Sequence, residues 1–138
     1  MNFQNKEKDD LVRQWLEKAH RDIFAAESLI SHGEYVSGIV AFHAQQAAEK
    51  YIKALLVHEQ IEFTKTHNIE LLLKLVLKIN KKLPDLLKDT IILTDYGVDV
   101  RYPDDLPNLT LEEAKQAVEL AKKVRDAILG ELPKLENK

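Results

Sequence analysis

The chain has 138 residues, with 20 Lys and Arg against 23 Asp and Glu, and no Cys. That length suits one domain able to bury a core without staples, and the lack of Cys excludes disulfides, thiolate nucleophiles and zinc thiolates. A formal net charge of −3 excludes a globally basic nucleic-acid binder, so any contact with RNA or a nucleotide has to come from a local patch.

The opening residues, MNFQNKEKDD, lack the apolar h-region of a signal peptide. No apolar run reaches the roughly 18 residues of a membrane span. A cytoplasmic chain without membrane contact is expected. Trp15, Ala19, Ile23, Ala26 and Ile30 then follow helical spacing and predict a first helix over about 7–31, stopped by Gly33. A second helix is expected from Glu34 to about Glu59, with Val36, Val40, Ala44, Ala47, Tyr51, Ala54 and Leu55 on its inner face. The short break at Gly33 makes these two an antiparallel hairpin. Gln60 to His67 reads as a connection. Thr66 or Asn68 can cap a third helix carrying Ile69, Leu72, Leu73, Val76 and Ile79. Pro84 opens a fourth helix, roughly 84–96, that Gly97 ends.

GVDVRYPDDLPNL, Gly97 to Leu109, is longer than the roughly 2–8 residues usual between bundle helices, which invites a functional reading. Thr110 and Glu113 form a T-x-x-E capping box for a last helix with Leu111, Ala114, Val118, Ala121, Val124 and Ile128 inward. Gly130 and Pro133 close it. The expected architecture is all-α: an antiparallel up-and-down bundle of four long helices plus one short helix, in a single domain with its core at about 7–130.

The second helix contains AFHAQQAAEKYIKALL, Ala41 to Leu56. At 100° per residue its apolar positions cover more than half the circumference, and Gln45, Gln46, Glu49, Lys50 and Lys53 share the remaining arc, with His43 at the border. Phe42 falls within that arc. Two readings stand side by side: a solvated face, in which Glu49 and Lys53 form an ordinary i,i+4 pair, and a contact face anchored by Phe42.

FHAQQAAEKYIKALL resembles the signature helix of the HEPN family. Three further stretches match in order: KAHRDIFAAESLISHGEYVSG (Lys18 to Gly38, with the acidic Asp22), THNIELLL (Thr66 to Leu73), and DYGVDVRYPD with EEAKQAVELAKKV (Asp95 to Asp104 and Glu112 to Val124). The resemblance spans nearly the whole chain. It implies helical bundles that dimerise around a polar cleft. It also implies one of two functions: a metal-independent RNase with an R-x4–6-H motif, or a short form often encoded beside a minimal nucleotidyltransferase, which this chain resembles more closely.

The RNase chemistry would use the His to move a proton at a ribose oxygen and the Arg to hold the phosphate. Arg101 lies in the expected region, but the positions that should carry the His hold Leu106, Pro107 and Asn108, and no His follows His67. A second Arg-x6-His spacing, Arg13 to His20, lies on the first helix, where the two would stand about 10 Å apart along the axis.

The implied function is a non-catalytic dimeric binding module, partner of a minimal nucleotidyltransferase in a toxin–antitoxin or nucleotide-binding system. The candidate ligand or interface residues on the first two helices are Asp22, Phe42, His43, Gln46, Glu49, Lys50 and Lys53; the loop adds Arg101 and Tyr102. The alternatives are an RNase toxin using Arg101 with a displaced His43 or His67, and a structural subunit without ligand. No cofactor is expected. Metal binding is not expected either, since His43, His58, His67 and Asp22 are scattered along the chain. Lys74, Lys78 and Lys82 fall on one side of the third helix, as a solvated face or an RNA-backbone stripe.

Overall fold

The computed structural model describes residues 3–97 and 108–133. Its first turn is set by glycine. Helix α1, Phe3–Ile30, ends where His32 N–H donates to Leu29 C=O, and Gly33 then takes φ 81°, a region that costs a side chain dearly. One tight turn of 3-10 geometry, Glu34–Val36, leads into α2, Ser37–His58. The hairpin read from the sequence is therefore present, and its helices make the most extensive contact in the molecule.

Helix α2 ends in a Schellman turn. Ile61 N–H donates to Leu56 C=O and Gln60 N–H to Val57 C=O, with Gln60 at φ 58°. A glutamine there carries the left-handed penalty that glycine avoids. Gln60→Gly should accordingly raise the unfolding free energy by about 1 kcal/mol in a urea titration.

Asn68, not Thr66, caps α3, Ile69–Val76, its Oδ1 accepting from Leu71 N–H at 3.2 Å. Thr66 instead accepts the N–H of Asn68. The helix stops before Ile79, and past its end the Asn80 side chain accepts the N–H of Lys82 at 2.8 Å, a local turn that leads into the next helix. Short α4, Lys82–Leu86, follows, and Lys88–Tyr96 continues as 3-10 turns. The β-branched residues in DTIILTDY disfavour the regular α geometry expected over 84–96. Thr90 also bonds back to Leu87 C=O at 2.6 Å. Helix α5, Leu111–Glu131, starts with both halves of the expected capping box formed.

Helix α2 is the central rod, packed on α1, α5, α3 and the 3-10 segment. Its alanines at 41, 44, 47, 48 and 54 are fully covered and let neighbours approach closely, while Tyr51, Ile52, Leu55 and Leu56 fill the core with Ile69, Leu72, Val124 and Ile128. A smaller cluster of Ala26, Val40, Ala114 and Val118 closes the hairpin end. Among the described residues there is no strand, and the fold is the all-α helical bundle that the sequence implies.

Candidate functional site

The polar arc of α2 divides into two networks. In the first, Glu49 is the centre. Its Oε2 accepts from Lys53 Nζ at 2.8 Å, and its Oε1 accepts from His67 Nδ1 at 2.7 Å and Gln45 Nε2 at 3.1 Å. Gln45 also donates to His67 C=O at 3.0 Å, and its Oε1 accepts from Gln46 at 2.6 Å. Lys53 Nζ lies 5.6 Å from the ring centroids of both Trp15 and Phe63, which meet each other edge-on. A desolvated ammonium gains from such ring faces.

The solvated-face reading is thereby corrected for three residues. Gln45 is fully buried, Glu49 is 3% exposed and Lys53 6%. The cause is the connection after α2, which returns over the arc and sets Phe63 and His67 on it, while Trp15 of α1 closes the other side. Lys53 can be covered because its long stem is apolar and its charge meets a carboxylate.

The second network joins α2 to α1. Asp22 Oδ1 accepts from His43 Nδ1 at 2.9 Å and Oδ2 from Lys50 Nζ at 2.6 Å. Burial pushes the Asp22 carboxyl up, but the hydrogen bonds and charges of His43 and Lys50 outweigh it and leave the group below its ordinary 3.8. A depressed folded-state value gives stability that is whole above the unfolded value and is lost as pH falls through the folded one. Wild type should therefore lose stability on acidification below pH 3.8 more steeply than Asp22→Asn, a difference read from urea midpoints across that range.

The same unit thus occurs twice: imidazole, carboxylate, ammonium. Ionised carboxylates only accept, so Nδ1 of both His43 and His67 carries a proton and each Nε2 is left for another partner. The His67 side chain is 62% exposed and that of His43 29%. Phe42, half-buried, meets the His43 ring edge-on at 5.7 Å.

Gly97 is the last described residue before the long loop, and it sits against Gln45. A Cβ added there would lie 2.5 Å from Gln45 Cδ. The chain therefore leaves for residues 98–107 from the Glu49 network. Arg101 and Tyr102 themselves lie outside the described residues. Arg13 and His20 serve separate partners: Arg13 pairs with Asp10 at 3.0 Å, and His20 Nδ1 hydrogen-bonds with the Tyr51 hydroxyl at 2.5 Å. Burial pushes His20 down and Tyr51 up to about 12. Among the described residues, no group of three or more His, Asp or Glu is placed to hold a metal ion, and no helix is long and apolar enough to cross a membrane.

Sequence reasoning placed Gln45 on the arc without giving it a role, and it missed Trp15, Phe63 and Gly97 as parts of the site. Hairpin register was an available signal for Trp15, which stands 18 residues before Gly33, as Lys53 stands 20 after it. Nothing in helical periodicity pointed to Phe63.

Comparison with solved structures gives TT1696 from Thermus thermophilus, 28% identical, with a TM-score of 0.71 over 88% of this chain and 98% of that one. ST0689, described as an archaeal HEPN homologue, is 24% identical, with a TM-score of 0.65 over 87% of this chain and 96% of that one. No curated protein matches. The sequence profile of the HEPN domain matches residues 12–132, which takes in both polar networks and the described helices apart from residues 3–11 at the start of α1. With nearly the whole length matched, the chain belongs to the HEPN domain family.

Proposed function

We propose that this protein is a non-catalytic, dimeric binding module of the cytoplasm that works with a minimal nucleotidyltransferase, in a toxin–antitoxin or nucleotide-binding system. One observation carries the reading: the charged side chains of the α2 arc are already matched inside the chain, Lys50 to Asp22 and Lys53 to Glu49. With those charges satisfied internally, the accessible rim of Phe42, Gln46 and two imidazole edges is held in place for contact. On this reading the dimer brings the rim to a shared cleft, with Arg101 and Tyr102 as its candidate loop residues. The absence of any His after His67 supports the non-catalytic assignment. Copurification of the tagged chain with a minimal nucleotidyltransferase from its native host, together with a rise in Tm on adding ATP, is the expected result. Recovery of neither, from a chain that elutes as a monomer, would remove the proposal.

A second reading is favoured by the two imidazoles whose Nδ1 is held by a carboxylate, an arrangement that leaves Nε2 able to take or give a proton. On this reading the protein is an RNase toxin, with His43 or His67 moving the proton and Arg101 holding the phosphate. Metal-free cleavage of RNA that disappears in both Arg101→Ala and a His43→Ala/His67→Ala double variant would establish it. Activity surviving in both variants belongs to a contaminant.

A further inference from the structure

On the far side of Phe63 from the Glu49 network, a groove of about 550 Å³ runs between the connection after α2 and α3. Pockets that take specific ligands span roughly 300–1,000 Å³. Its floor is apolar: Phe63, Leu72 and Leu75, with Leu71 left 49% exposed on its edge. Its other wall is unusual backbone. No peptide group from Glu62 to Lys65 hydrogen-bonds to another described residue, so the stretch that supplies Glu62, Phe63 and Thr64 to the groove keeps its main-chain donors and acceptors available. That combination suits a peptide, whose main chain pairs with the wall and whose side chain enters the floor.

Charge specifies the peptide further. Lys50, Lys53, Lys122 and Lys123 each have a carboxylate within 3.0 Å. By contrast, Lys74, which lines the groove, and Lys78, Lys81 and Lys82 beyond it make no ion pair among the described residues. All four are exposed. Glu62 also lines the groove, and Glu70 stands one turn before Lys74 without an ion pair to it. From Lys74 on, the chain toward α4 thus carries a run of exposed lysines, unpaired among the described residues, in a chain whose net charge is −3.

We propose that this groove docks a short acidic peptide segment of a partner protein, one apolar side chain seated among Phe63, Leu71 and Leu75 and its carboxylates on Lys74 and Lys78. The groove shares Phe63 with the cover of Lys53 but uses none of the rim residues Phe42, His43 and Gln46, so its docking role stands whether or not the nucleotidyltransferase reading holds. A bare polyanion would use the lysines alone; the apolar floor and the free backbone wall favour a peptide.

The test is an NMR titration of the isotope-labelled full chain with three probes: a synthetic peptide with Leu flanked by Asp and Glu, its analogue with Lys at the acidic positions, and an oligouridylate of similar charge. The acidic peptide should shift the amides of residues 62–66 and 71–75 saturably, and the Lys analogue should not. Leu71→Glu and Lys74→Glu/Lys78→Glu change exposed positions and should each weaken binding about five- to ten-fold, the scale of a lost anchor or of two surface ion pairs. No saturable shift, an equal response to the Lys analogue, or binding indifferent to Leu71→Glu would each overturn the proposal. Tighter binding of oligouridylate at the same lysines, unaffected by Leu71→Glu, would replace the peptide with a nucleic-acid backbone.

Discussion

Glu49→Ala should destabilise the protein by about 3–5 kcal/mol, the range for leaving one member of a buried ion pair without its partner. Native stabilities run to only about 5–15 kcal/mol, so the variant should lie near the edge of folding. The ammonium left behind is Lys53, 6% exposed, facing the rings of Trp15 and Phe63 and, among the described residues, no second carboxylate. Lys53→Met should cost much less. Glu49 then keeps its donors from Gln45 and His67, and a thioether chain fits between two aromatic rings. The double variant Glu49→Ala/Lys53→Met should recover part of the loss, since no charge is left unpaired there. Equilibrium urea unfolding of the four proteins measures all three statements. Equal costs for the two single variants would mean that Lys53 reaches water once Glu49 is removed.

Gly97→Ala should cost about 1–3 kcal/mol, the range for overpacking a filled site. Conformation is not the reason, because φ at Gly97 is −95°, ordinary for any residue. Space is. The new methyl would lie 2.5 Å from Gln45 Cδ and Oε1, and Gln45 cannot yield easily while it is fully buried and bonded to Glu49, His67 and Gln46. In a Gln45→Ala background the same substitution should cost little. A double-mutant cycle by thermal unfolding gives the coupling directly. If Gly97→Ala costs the same in both backgrounds, the penalty has another source.

How much of this was legible beforehand depends on whether the signal was local. The stripes Trp15–Ala19–Ile23–Ala26 and Ala114–Val118–Ala121–Val124 follow one period, and all but Trp15, which caps the buried arc, lie in the core. Gly33 and the Thr110–Glu113 box are stop and start signals with their own chemistry, and both behave as read. The arc of α2 was legible as an arc. Its burial was not, because what covers it is an irregular connection whose path no periodicity encodes. Lys53 therefore looked like half of a surface pair until Phe63 came over it. The stretch 84–96 kept its helical sense, but its β-branched run tightened it into 3-10 turns, a contest between patterning and side-chain crowding. Gly97 could be read as a helix stop; its fit against Gln45, distant in sequence, could not.

Gly97 and Thr110 together have a practical meaning for anyone wishing to re-engineer the molecule. One fastens the chain to a buried amide just before residue 98; the other begins a fresh helix with its own cap soon after residue 107. The intervening segment is bracketed by two independent fasteners, so a cassette borrowed from a relative can be inserted between them without redesigning either rod. The segment can then be exchanged while the scaffold keeps its own melting behaviour.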